Sequence, residues 1–92
     1  MKEVQERYKK YLALTQKALG KVKKVSSDDL VADDLFDLAQ RYFSDAQHFY
    51  SQGEILTALL SVTYAHAFLD AGARIGVFDV GGDSELFMVD EL

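Results

Sequence analysis

The sequence predicts an all-α protein: a three-helix up-and-down antiparallel bundle with a short extended C-terminal tail, forming one domain over residues 1–92. Three observations predict it. Apolar residues recur at alternating steps of three and four along successive stretches, the pattern of helices that bury one face. Proline is absent, and five of the six glycines fall from Gly53 onward, so long helices can run uninterrupted. Helix-start and helix-stop residues divide the chain at Ser26–Asp29, Gly53 and Gly76.

Helix one is expected over about residues 2–24. Val4, Tyr8, Tyr11, Thr15, Ala18, Val22 and Val25 form its stripe, widened by Leu12 and Leu19. Lys21, Lys23 and Lys24 fall in its last turn, where positive charge opposes the partial negative charge of a helix end. Gly20 is a local weakness, costing about 1 kcal/mol in a helix interior.

Helix two is expected over about 28–52. Ser26-Ser27-Asp28-Asp29 supplies side-chain acceptors for its free backbone N–H groups. Its apolar positions are Val31, Leu35, Leu38, Ala39, Tyr42, Phe43, Ala46, Phe49 and Tyr50. Gly53 ends it, because glycine most readily takes the left-handed turn that closes a helix. Helix three follows at once, over about 54–76, so the two must be antiparallel neighbours.

Helix three is apolar or small on nearly every side, and such a helix must be covered by its own protein or by a partner. One stripe is Ile55, Ala58, Leu59, Val62, Ala65, Leu69, Gly72, Ala73 and Gly76. A second face carries Leu56, Leu60, Thr63 and Ala67, and a third carries Tyr64, Phe68, Ala71 and Ile75. The tail, 77–92, is broken at Gly81-Gly82. Its Leu86, Phe87, Met88 and Val89 are too apolar for open solvent, so it is expected to fold back over the bundle or to enter a dimer contact.

Charge and composition narrow the function classes. Net charge is −5, yet residues 1–25 carry eight Lys/Arg against two acids, and the remainder two Arg against thirteen acids. The preferred reading sets the basic first helix along acidic neighbours in the same molecule. Overall acidity, and lysines without interleaved aromatics, argue against nucleic acid. With no Cys there are no disulfides and no thiolate metal sites. The charged N-terminus lacks a signal-peptide pattern, and the uncharged run Ile55–Leu69 is shorter than the ~20 residues of a membrane span. A soluble, cytoplasmic protein with no membrane contact is expected.

Ser44-Asp45-Ala46, Gly53 with Ala58, and above all the run Tyr64-Ala65-His66-Ala67-Phe68-Leu69-Asp70-Ala71-Gly72-Ala73-Arg74-Ile75-Gly76-Val77-Phe78-Asp79-Val80 carry a family resemblance. The chain resembles the short archaeal proteins of the domain-of-unknown-function family numbered 357, across most of helices two and three. That resemblance implies a three-helix up-and-down bundle in an archaeal cytoplasm, and it implies no activity.

The residues themselves offer few sites. His66, Asp70 and Arg74 stand at successive i,i+4 positions of helix three. They read first as a structural ladder, in which Asp70 accepts from Arg74 and from His66, and second as a pocket for an anion or metabolite clamped by Arg74. His48 and His66 are the only imidazoles, and the Gly53 hairpin sets them roughly 12 Å apart in level, so no metal and no cofactor is expected. Arg41 and His48 formally fit the Arg-x6-His of HEPN-type helical ribonucleases, but Asp37 and Asp45 beside them would repel a phosphate backbone. No phosphate loop, Ser/His/Asp set or Cys nucleophile is present. The sequence therefore points to a non-enzymatic interaction or oligomerisation module that pairs with itself or another protein through helix three and the tail, burying Phe78, Leu86, Phe87 and Met88. The alternative is a small-ligand domain using His66, Asp70 and Arg74; the remote alternative is the ribonuclease.

Overall fold

A computed structural model describes residues 2–83 and 85–87. Three helices follow in order, α1 (Lys2–Lys21), α2 (Leu30–Ser51) and α3 (Ile55–Ile75), with two-residue strands β1 (Lys23–Lys24) and β2 (Phe78–Asp79). The predicted three-helix bundle is the fold observed. α2 and α3 form the most extensive contact, and α1 packs chiefly on α3.

The core is built largely of alanine. Ala32, Ala39 and Ala46 are fully buried on α2, and Ala58 and Ala65 on α3, continued by the buried Gly72. In both helices these residues recur every seven positions, so each helix turns a small residue inward at every second turn along one seam. Side chains this small let two backbones approach closely. On α1 the seam is met by Tyr8, Thr15 and Ala18, all buried. Tyr8 lies flat on Tyr50, with ring centroids 4.4 Å apart and planes 8° from parallel. Its hydroxyl donates to the Ala46 carbonyl at 3.4 Å. Burial, and secondarily the neighbouring Tyr50, pushes the Tyr8 phenol above its usual 10.0, so it remains a neutral donor.

The helix ends follow local chemistry. The Asp29 carboxylate caps α2, accepting from the N–H of Val31 at 2.9 Å and of Ala32 at 3.1 Å. After α2, Gly53 takes φ +79°, and the Glu54 N–H reaches back to the Phe49 carbonyl at 2.9 Å. Gly76, at φ +86°, closes α3 in the same left-handed way, with the Val77 N–H on the Gly72 carbonyl at 3.0 Å.

The structure departs from the sequence reading at three places. α1 stops at Lys21, not near Lys24: Lys23 and Lys24 extend to pair antiparallel with Asp79 and Phe78, just after the Gly20 weak point. Lys24 therefore serves no helix end; its ammonium donates to Asp33 at 2.7 Å and to the Ser27 carbonyl at 2.9 Å. Val25 and Val31, expected in the stripes, are 65% and 53% exposed: Val25 lies past the end of α1, just after β1, and the inner face of α2 centres on Ala32 instead of Val31. The second and third faces of α3 are only partly covered: Phe68 packs against the core, but Leu56, Leu60, Tyr64 and Ile75 are all more than half exposed.

The beginning of the tail belongs to the core. Phe78, Val80 and Phe87 are 4%, 5% and 2% exposed and join the cluster of Ala18, Ala39 and Leu69. Phe78 fits because residue 72 is glycine: a Cβ there would overlap the Phe78 ring. Its ring also meets Phe36 edge-on at 6.4 Å. Gly72→Ala is accordingly expected to cost about 1–3 kcal/mol by overpacking. Urea unfolding measures it, and a midpoint at or above that of the parent would contradict this packing.

Candidate functional site

Two places on the molecule have the character of a site. The first is built around His66, where α1, α3 and the tail meet. The His66 Nε2 lies 2.6 Å from the Leu86 carbonyl oxygen, and its Nδ1 lies 3.0 Å from the Thr15 hydroxyl. A carbonyl can only accept, so Nε2 carries the hydrogen and donates to Leu86; in the neutral ring, Nδ1 then accepts from Thr15. The imidazole thus clips three chain segments together, with the Phe87 ring 6.2 Å from its own. Thr15 is fully buried, so this bond satisfies a hydroxyl that would otherwise be stranded in the core.

Of the three residues expected to act together, the structure groups two. The Asp70 carboxylate lies 4.0 Å from His66 Nε2, at the limit of an ion pair. Arg74 is exposed. Besides its approach to Asp70 along the helix, His66 reaches sideways to Thr15 on α1 and to Leu86 in the tail. Beside it a cavity of about 330 Å³ is lined by Tyr11, Leu14, Thr63, Ala67, Asp70 and Glu85 as well as His66 and the tail. Arg74 does not line it, and two carboxylates do. An anion clamped by Arg74 is not what such walls would hold.

The remaining candidates are dispersed. Among the described residues no three His, Asp or Glu side chains gather where one ion could be bound. Arg41 Nε donates to Asp37 at 2.8 Å, and both Arg41 and His48 are exposed on the outer face of α2. The expected interaction surface is largely spent within the chain, since Phe78 and Phe87 are buried, Leu86 is half-buried, and Met88 lies outside the described residues.

The second place was visible in the sequence only as two faces of helix three awaiting cover. Along α3, Leu56, Leu60, Tyr64 and Ile75 follow one another with the exposed Ala67 and Ala71 between them. At 1.5 Å per residue this apolar stripe is roughly 28 Å long. Tyr64 is held by Tyr42 of α2, their centroids 5.5 Å apart. By length and composition α3 could cross a membrane; in this fold its small-residue face forms the core.

The model of a family described as "Protein of unknown function (DUF357)" matches residues 10–78. The chain belongs to that family. No curated protein and no solved structure matches it. The matched span contains Thr15, His66 and the whole α3 stripe, and it ends at Phe78, so Leu86 and Phe87 lie beyond it.

The clip has a measurable consequence. His66→Ala strands the Thr15 hydroxyl and frees the tail, at an expected cost of about 1–3 kcal/mol. Thr15→Val removes the same bond from the other side, so the double variant should cost less than the sum of the singles. Strictly additive losses in urea unfolding would show that the two side chains do not depend on each other.

Proposed function

We propose that this protein is a non-enzymatic interaction module whose docking face is the exposed stripe of α3. The observation that carries the reading is the position of its large apolar residues. Leu56, Leu60, Tyr64 and Ile75 are 52%, 54%, 58% and 61% exposed on one line of one helix, while alanines fill the interior. Single exposed leucines are ordinary; a helix-long row is the form taken by helix-in-groove and helix-pair contacts. Placing the docking face here, not at Phe78 and Phe87, keeps the tail's role structural.

The cavity beside His66 favours a second reading, small-ligand binding. With Asp70 and Glu85 in its walls and no Lys or Arg, its occupant would be cationic and not the anion first considered. At about 330 Å³ it lies at the small end of ligand sites.

A photoreactive residue in place of Leu60 tests the docking face. Irradiation in cells that express the full chain should give a covalent adduct with a protein, and the same probe at the exposed Gln16 of α1 should give none. No adduct from position 60, or equal yields from the two positions, would remove the reading.

A further inference from the structure

We infer that the cavity beside His66 takes a primary amine with a small apolar body; this rests on reading that cavity as a ligand site. The ground is the hydrogen-bonding character of its walls. Asp70 on α3 and Glu85 in the tail contribute carboxylates, which when ionised only accept. The Thr63 hydroxyl donates to the Leu60 carbonyl at 2.7 Å, so toward a ligand its oxygen can only accept. His66 has little to offer, because its Nε2 is engaged with Leu86 and its Nδ1 with Thr15.

The backbone donors of the tail are engaged as well. The N–H groups of Glu85 and Leu86 donate to the Asp83 carboxylate at 3.0 and 3.1 Å, and that of Phe87 to the Asp83 carbonyl at 3.1 Å. Among the described residues, the Tyr11 hydroxyl is the one side-chain donor left in the walls. Cations nearby do not change this balance. Arg7 and Lys10 line a separate depression together with Glu3 and Glu6.

Walls with two anionic acceptors, one neutral acceptor and a single donor suit a ligand that is positively charged and rich in N–H groups. A primary ammonium brings one charge and three donors. A quaternary ammonium brings the charge without the donors, and a carboxylate or phosphate would set acceptors against acceptors. A divalent cation needs more ligands than these walls bring together among the described residues. The remaining lining, Leu14, Ala67, Leu86 and the rings of Tyr11 and Phe87, is apolar and fits a hydrocarbon body. At about 330 Å³ the space suits a single ring or a short chain.

Four probes of similar shape test this: benzylamine, benzyltrimethylammonium, benzyl alcohol and benzoate. Each is titrated into the isotopically labelled full chain and followed by amide chemical shifts. Benzylamine is expected to bind most tightly, to move the amides of Ala67, Asp70 and Leu86, and to weaken as salt is added. Glu85→Gln, at an exposed position, and Asp70→Asn should each weaken it several-fold with helicity unchanged. Glu54→Gln, at the start of α3, should leave it as it is. Benzyl alcohol, benzoate or benzyltrimethylammonium binding there as tightly as benzylamine would overturn the inference and leave a ligand site standing. So would benzylamine binding that neither Glu85→Gln nor Asp70→Asn weakens. No shift at the cavity with any of the four would end both the inference and the reading of the cavity as a ligand site.

Discussion

The close approach of α2 and α3 through their small-residue seam is the constraint from which the rest of the structure follows. Ala32, Ala39 and Ala46 repeat every seven residues on one helix, and Ala58, Ala65 and Gly72 on the next. Such a seam contributes little apolar area per residue, so its stability must come from many close contacts between backbones. It also dictates where large side chains go. Val62 and Leu69 fit within the core, Leu59 and Phe68 pack against it, Tyr8 and Phe78 enter from its margins, and Leu56, Leu60, Tyr64 and Ile75 are left outside.

An alanine core in so short a chain needs supplementing, and the tail supplies it. Phe78, Val80 and Phe87 bring the large apolar volume that α2 and α3 withhold from one half of the bundle. The connection is held by polar contacts at several levels: β1 with β2, Lys21 with Asp83 at 3.6 Å, and His66 with Thr15 and Leu86. The exposed ion pair contributes little on its own. The imidazole clip carries more, because one of its partners is wholly buried. A histidine in this sequence therefore has a structural reason to be where it is before any chemistry is asked of it.

Much of the fold was legible because local signals agreed with one another. Asp29, Gly53 and Gly76 marked helix ends through capping and left-handed geometry, and the three-four spacing gave each helix its inner face. What was not legible depended on distance between segments. Nothing near Lys23 announces a strand, because its partner Asp79 is supplied by the far end of the chain. Thr15 stood in an apolar stripe as an unremarked hydroxyl, and only the packing of α1 on α3 shows that it meets His66. The His66–Asp70–Arg74 spacing was real, but spacing along a helix does not say which way a side chain turns, and Arg74 turned to solvent. The alanines of α2 were present to be counted at intervals of seven. Reading Ala39 and Ala46 as minor members of a larger apolar stripe, and leaving Ala32 out of it, hid both the seam and its consequence, an α3 left half uncovered.

The most direct test is to enlarge the seam at its centre. Ala39→Leu adds apolar volume at a fully buried position without adding a polar atom. If close approach of α2 and α3 governs the fold, the variant loses stability by about 1–3 kcal/mol in urea unfolding, despite its greater hydrophobicity. A variant as stable as its parent, or more so, would show that these helices have room to spare and that the seam is not what places the bulky residues of α3 outside.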